Sequence, residues 1–207
     1  MNKPPRKTRK LALVANEAYD ETPSQTLEGD RTLYRSNKYN KAYIDKEGNI
    51  DIGVRGSADV VDYALDAKKL LFGDNLLQSE RYKDTERFIK NIRQDNPNAK
   101  INISGHSLGG TIVNRFVNEN AGVINRAEAY NPYVTQNMDL SADVKNYRKK
   151  GDIASVLGTY KWISGENKGI EEFEPETSPD GVLEKHSLAN FLKKGQIGYK
   201  ISQRLMN

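Results

Sequence analysis

Ile101-Asn102-Ile103-Ser104-Gly105-His106-Ser107-Leu108-Gly109-Gly110 decides how this chain is read. Ile101 and Ile103 alternate with polar residues, and β-branched side chains suit a strand. Beyond them Leu108, Ile112, Val113, Phe116 and Val117 recur at helical spacing, and Gly122 stands where the helix would close. Between strand and helix lies G-x-S-x-G, in the strand–turn–helix context of a nucleophile elbow. So tight a turn demands small residues at Gly105 and Gly109, because larger side chains would strike neighbouring backbone. Ser107 is thereby pushed out above the sheet edge. The helix N-terminus beneath it favours developing negative charge. The same residues could form an ordinary Gly-rich turn with a capping Ser, but the strand before and the amphipathic helix after favour the elbow. A serine hydroxyl is a weak nucleophile, so chemistry at Ser107 needs a base and an oxyanion hole. Leu108, the residue after the nucleophile, offers one backbone N–H donor.

The base is narrowly constrained, because the chain contains two histidines. His106 adjoins Ser107 in the turn and should point elsewhere. His186 remains, although a surface His beginning a helix with Leu188, Phe191 and Leu192 fits the local sequence as well. The orienting acid should fall between Ser and His in the chain. Asp139, Asp143, Asp152 and Asp180 all qualify by order. Asp180 lies in the turn signature Ser178-Pro179-Asp180-Gly181. Asp143 precedes a predicted strand over 144–148 and so sits at the wrong edge. Asp152 follows that strand, at the edge where α/β sheets carry their sites.

The 207 residues suit one sizeable α/β domain. Only 36% are hydrophobic and the mean hydropathy is −0.78, so the core must be economical. The net charge of +4 favours an anionic lipid surface without requiring one. Absence of cysteine removes disulfides and thiolate metal sites and fits a reducing compartment. With two histidines, a His-based metal site is poorly supported, and Ser107 chemistry requires no metal or organic cofactor. No apolar run is long enough to span a membrane, and Leu11-Ala12-Leu13-Val14-Ala15 is too short for a secretory segment. An intracellular location is therefore expected.

Residues 1–10 read as a basic, flexible tail ahead of one domain over 11–207, with no aromatic residue interleaved to stack on nucleic-acid bases. No nucleic-acid partner is expected. Leu11 to Tyr19 looks helical, and 20–40 is polar without a clear period. Strands are expected over 42–45 and 50–54, joined by the turn Lys46-Glu47-Gly48-Asn49. The second leads into Arg55-Gly56-Ser57, and a helix over 58–66 could take Ser57 as its cap. Tyr82, Phe88, Ile89 and Ile92 should face inward from a helix over 79–95 that Asn96-Pro97-Asn98 ends. Strands are expected again over 123–130 and 144–148. Residues 161–181 look like a polar loop holding Trp162, and 196–202 alternates like an edge strand.

Gly105-His106-Ser107-Leu108-Gly109-Gly110 resembles the elbow of the class 3 lipase family. Arg55-Gly56-Ser57 is similar to that family's R-G-[ST] motif, Asp62-Tyr63 and Asp66 to the acids after it, and Gly151-Asp152-Ile153 to the segment of its catalytic aspartate. The resemblance covers roughly residues 40 to 190. It implies an α/β-hydrolase-like, mostly parallel sheet flanked by helices. It also implies a triad of Ser107, Asp152 and His186, with an oxyanion hole from Ser57 and Leu108. The substrates implied are lipid esters, acylglycerols or phospholipids, with peripheral contact at a membrane surface. An amphipathic lid over the acyl groove would involve Leu70, Leu71, Phe72, Leu76 and Leu77, which otherwise read as a core helix end and a loop. The family's V-H-x-G-F segment is missing, and many members are secreted. Small virus-encoded members exist, so the resemblance also admits a virus-associated location. If the triad is as implied, Asp152→Asn lowers kcat on the order of 10⁴-fold, while Asp143→Asn and Asp180→Asn are mild. Steady-state kinetics on an ester substrate checks that ranking.

Overall fold

The computed structural model describes residues 6–57, 76–133, 140–149, 170–173 and 192. The stretches 58–66 and 196–202, and Trp162, lie outside them. Eight strands among the described residues form one sheet in chain order. They are β1 (Thr26–Leu27), β2 (Arg31–Ser36), β3 (Asn40–Asp45), β4 (Ile50–Val54), β5 (Ile101–His106), β6 (Arg126–Tyr130), β7 (Val144–Lys149) and β8 (Ile170–Phe173). β1 to β4 run antiparallel to one another, and β4 to β8 run parallel. The expected α/β sheet is present, with a mixed rather than an all but parallel pattern.

Three α-helices flank it among the described residues: α1 (Arg6–Glu17), α2 (Glu80–Asp95) and α3 (Leu108–Glu119). Alternation along the strands sends Ile50, Ile52, Ile101 and Ile103 to one face. There they join Phe88, Ile89 and Ile92 of α2 and Ile112, Val113 and Phe116 of α3 in the main core. Each such side chain removed from water contributes about 1.5–3 kcal/mol before entropy is counted. Ser79 caps α2 by accepting from the Tyr82 amide at 3.1 Å, a bond whose loss costs about 1 kcal/mol. The C-terminal cap of α3 is Asn120. Gly122 follows in the next turn, at a φ of 80° that suits glycine.

The other face receives α1, and the approach is close. A Cβ on Gly53 would stand 2.1 Å from the Val14 carbonyl oxygen. The Ser104 hydroxyl donates to the Leu11 carbonyl at 2.8 Å. Small residues on β4 and β5 thus let helix backbone rest on strand backbone.

Several elements depart from the sequence reading. α1 begins at Arg6 and not at Leu11, so the basic run expected as a tail enters the helix, where Lys10 binds Asp30 at 2.7 Å. The stretch 20–40 carries β1 and β2, and the loop expected over 161–181 carries β8. β6 starts at Arg126, later than expected. No helix among the described residues is long and apolar enough to cross a membrane. Because its methyl would meet backbone, Gly53→Ala must displace α1. A loss of about 1–3 kcal/mol or more is expected, read as a lowered Tm in a thermal melt.

Candidate active site

β5 ends at His106, and α3 begins at Leu108, so one residue makes the whole turn. Ser107 has φ 55° and ψ −126°. A non-glycine residue in so sparsely populated a region costs on the order of 1–3 kcal/mol and persists only when its surroundings enforce it. They do so here. The Ser107 amide donates to the Tyr130 carbonyl at 3.0 Å, and the Ser107 carbonyl accepts the Thr111 amide at 3.1 Å. The Thr111 hydroxyl continues to the Tyr133 carbonyl at 2.6 Å. The glycines work as the motif requires: a Cβ on Gly105 would lie 2.4 Å from the Gly109 carbonyl group, and one on Gly109 would lie 2.2 Å from the Val54 carbonyl oxygen. Leu108, Gly109 and Gly110 open α3, where backbone amides have no partner within the helix and attract negative charge.

Val54 pairs in register with Gly105, so the turn after β4 leaves the sheet beside the elbow. A Cβ on Gly56 would stand 2.5 Å from the His106 carbonyl oxygen and 3.3 Å from Ser107 Cβ. Ser57 follows, half-buried. The Arg55–Ser57 turn and the elbow therefore abut. β7 ends at Lys149 on the same edge, three residues before Asp152 in the chain. Asp143 precedes β7 at the opposite edge and is exposed. Leu76 and Leu77 form part of a short 3₁₀ turn and pack, half-buried, on the main core. Leu70, Leu71, Phe72, Asp139, Asp152, Asp180 and His186 lie outside the described residues.

The His106 ring turns to the α1 face, where its Nδ1 lies 3.0 Å from the Tyr19 hydroxyl. Burial pushes the Tyr19 phenol well above its ordinary pKa, while a Gly56 backbone hydrogen bond and the charges of Arg81 and Arg55 oppose the shift. Sequence reading overlooked Tyr19. Its only local signal is an aromatic residue ending an apolar helical run. Several basic side chains lie nearby, among the carboxylates of Glu17, Asp20 and Glu21. The Arg81 guanidinium and the Lys38 ammonium each lie 5.1 Å from the Tyr39 ring centroid, and the Tyr39 carbonyl accepts the Arg55 amide at 2.8 Å. Lys41 is buried beside them, and its pKa is pushed down first by burial and then by Arg55.

No family model matches the chain, and no curated protein matches it. Solved structures do resemble it. The lipase Lip2 of Yarrowia lipolytica superposes with a TM-score of 0.59 at 14% identity, covering 91% of this chain and 94% of that one. A lipase from Rhizopus microsporus var. chinensis gives 0.51 at 13% identity, covering 93% and 87%. At these identities the likeness is one of fold: this chain has the α/β-hydrolase fold of those lipases. Neither neighbour is viral. Backbone contact at Gly109 is tighter than at Gly110, whose added Cβ would meet Ala129, Pro132 and the Gly105 carbonyl at 3.2 Å. Gly109→Ala therefore lowers stability more than Gly110→Ala, by about 1–3 kcal/mol for the former. Paired denaturant titrations measure the difference.

Proposed function

We propose that the protein is a serine carboxylic-ester hydrolase acting on lipid esters, acylglycerols or phospholipids. The observation that carries this reading is Ser107. It holds a strained backbone conformation at the junction of β5 and α3, beside the N-terminus of α3 and against the Arg55–Ser57 turn. Strain of this kind is maintained where it orients a reacting group.

In this reading His186 takes the Ser107 proton as Oγ attacks the ester carbonyl carbon. The carbonyl π electrons move to oxygen, where the Leu108 amide and Ser57 stabilise the resulting charge. Asp152 holds the imidazole tautomer and stabilises its positive form. Collapse of the tetrahedral adduct breaks the ester C–O bond, and His186 returns its proton to the departing alcohol. Water, deprotonated by the same His, then releases the acid and restores Ser107. Leu70, Leu71 and Phe72 supply the apolar segment that covers the acyl groove and meets a lipid surface, while Leu76 and Leu77 tie its end to the main core.

A hydrolase for small non-lipid esters or thioesters shares the triad but gains nothing at an interface. Rates on a medium-chain ester below and above its micellar threshold separate the two, and a lipase rises sharply above it. A fold kept only for binding would not react with a fluorophosphonate. The expected results are covalent labelling at Ser107, and for Ser107→Ala a loss of hydrolysis by several orders of magnitude with an unchanged Tm. Activity of Ser107→Ala within tenfold of the parent would remove Ser107 from the role of nucleophile.

A further inference from the structure

The junction between the two abutting turns is bridged by a side chain from neither. Tyr19 comes from the turn that follows α1, on the opposite face of the sheet from α3, and is buried. Its hydroxyl reaches His106 Nδ1 at 3.0 Å and lies 3.4 Å from the His106 carbonyl. It is also hydrogen-bonded to the Gly56 backbone. The space is made for it, because a Cβ on Gly56 would lie 2.4 Å from the Tyr19 oxygen. Gly56 and His106 are the residues immediately before Ser57 and Ser107. A phenol has one proton to give and lone pairs to receive. The Gly56 backbone bond lowers the phenol pKa, as an amide donating to its oxygen does. The hydroxyl faces two acceptors, Nδ1 and the His106 carbonyl, and giving its proton to the nearer, Nδ1, places the His106 proton on Nε2.

We propose that Tyr19 is a positioning residue. Its hydroxyl links the Gly56–Ser57 turn to His106 and so sets the distance between the oxyanion donors and the Ser107 nucleophile. The inference rests on the proposed ester hydrolysis for its catalytic meaning, but the linkage itself is a property of the fold. Tyr19 acts through its neighbours and touches no substrate. Removing its hydroxyl leaves the triad intact and loosens one wall of the oxyanion hole. The expected deficit is thus in kcat, smaller than the loss of a donor outright, which costs about 10² to 10³. A displacement of about an ångström in such a site is costly even when the moved group is not itself reactive.

The test is a double-mutant cycle with a spectroscopic control. Tyr19→Phe should lower kcat by about 10- to 100-fold with KM within twofold and Tm nearly unchanged. In a Ser57→Ala background the same change should cost less than about threefold, because the donor it positions is already impaired. His106→Asn, whose amide occupies the place of Nδ1, should retain most activity, whereas His106→Gln, which imitates Nε2, should not. With only two histidines in the chain, ¹⁵N spectra assign His106 simply. They should show a protonated Nε2 and a hydrogen-bonded Nδ1 that shifts in Tyr19→Phe. An unchanged kcat in Tyr19→Phe, full additivity with Ser57→Ala, or the reverse order of the His106 variants overturns the proposal. So does an activity loss matched by a fall in Tm. A parent protein that neither hydrolyses esters nor takes a fluorophosphonate overturns the proposed function instead, while the ¹⁵N spectra still decide the linkage.

Discussion

Backbone touching backbone is the constraint on which the rest of this structure depends. β4 is approached from both sides with no side chain between. α1 rests on Gly53 from one face, and the start of α3 presses Gly109 against the Val54 carbonyl from the other. A strand held this way cannot slide relative to either helix by the width of a methyl group. The turn leaving β4 and the elbow leaving β5 are therefore fixed against each other by steric contact between backbones more than by side-chain packing. The strained conformation of Ser107 is sustainable because everything around it is rigid.

The two faces of the sheet are built on different chemistry. The α2–α3 face is apolar, largely aliphatic with Tyr82, Phe88 and Phe116 among its side chains. The α1 face is aromatic and charged: Tyr130 stacks on Tyr147 with ring centroids 5.8 Å apart, and the fully buried Glu128 accepts from both Arg126 and the Tyr130 hydroxyl. Further along, Arg31 of β2 meets Asp51 of β4 at 2.7 Å across β3, with both side chains nearly inaccessible. Burial pushes the Asp51 carboxyl upward against the opposing influence of Arg31 and an Asn102 hydrogen bond. Such a pair loses in desolvation much of what attraction returns. Its clearer contribution is to alignment, since only one register of β2, β3 and β4 lets the two charges meet.

The central half of the fold is legible in the sequence because its signals are local. Ser79 and the spacing of Tyr82, Phe88, Ile89 and Ile92 announce α2, and the run from Ile101 to Gly110 announces β5, the turn and α3. β2 escapes because Arg31-Thr32-Leu33-Tyr34-Arg35-Ser36 buries an arginine whose reason for being inside, Asp51, is remote in sequence. Ile170-Glu171-Glu172-Phe173 does not alternate and gains its strand from pairing with β7. Of the site, the residues next to the motif could be read directly, and Gly56 could be placed by its neighbour Ser57. Tyr19 could not, since its partners lie on β5 and beyond β4, and nothing in the residues around it points to them.

The seating of α1 has a consequence for the order in which the molecule is made. Its hydroxyl partner on β5 is separated from Leu11 by 93 residues. A helix of 12 residues is marginal in water without a surface to pack on. During synthesis it emerges before β4 and β5 exist, and closing so long a loop slows its capture. The earliest segment of the described chain is thus secured only after the elbow strand has joined the sheet. Until then the apolar stripe of Leu11, Val14 and Ala15 is open to chaperones or to a second nascent chain.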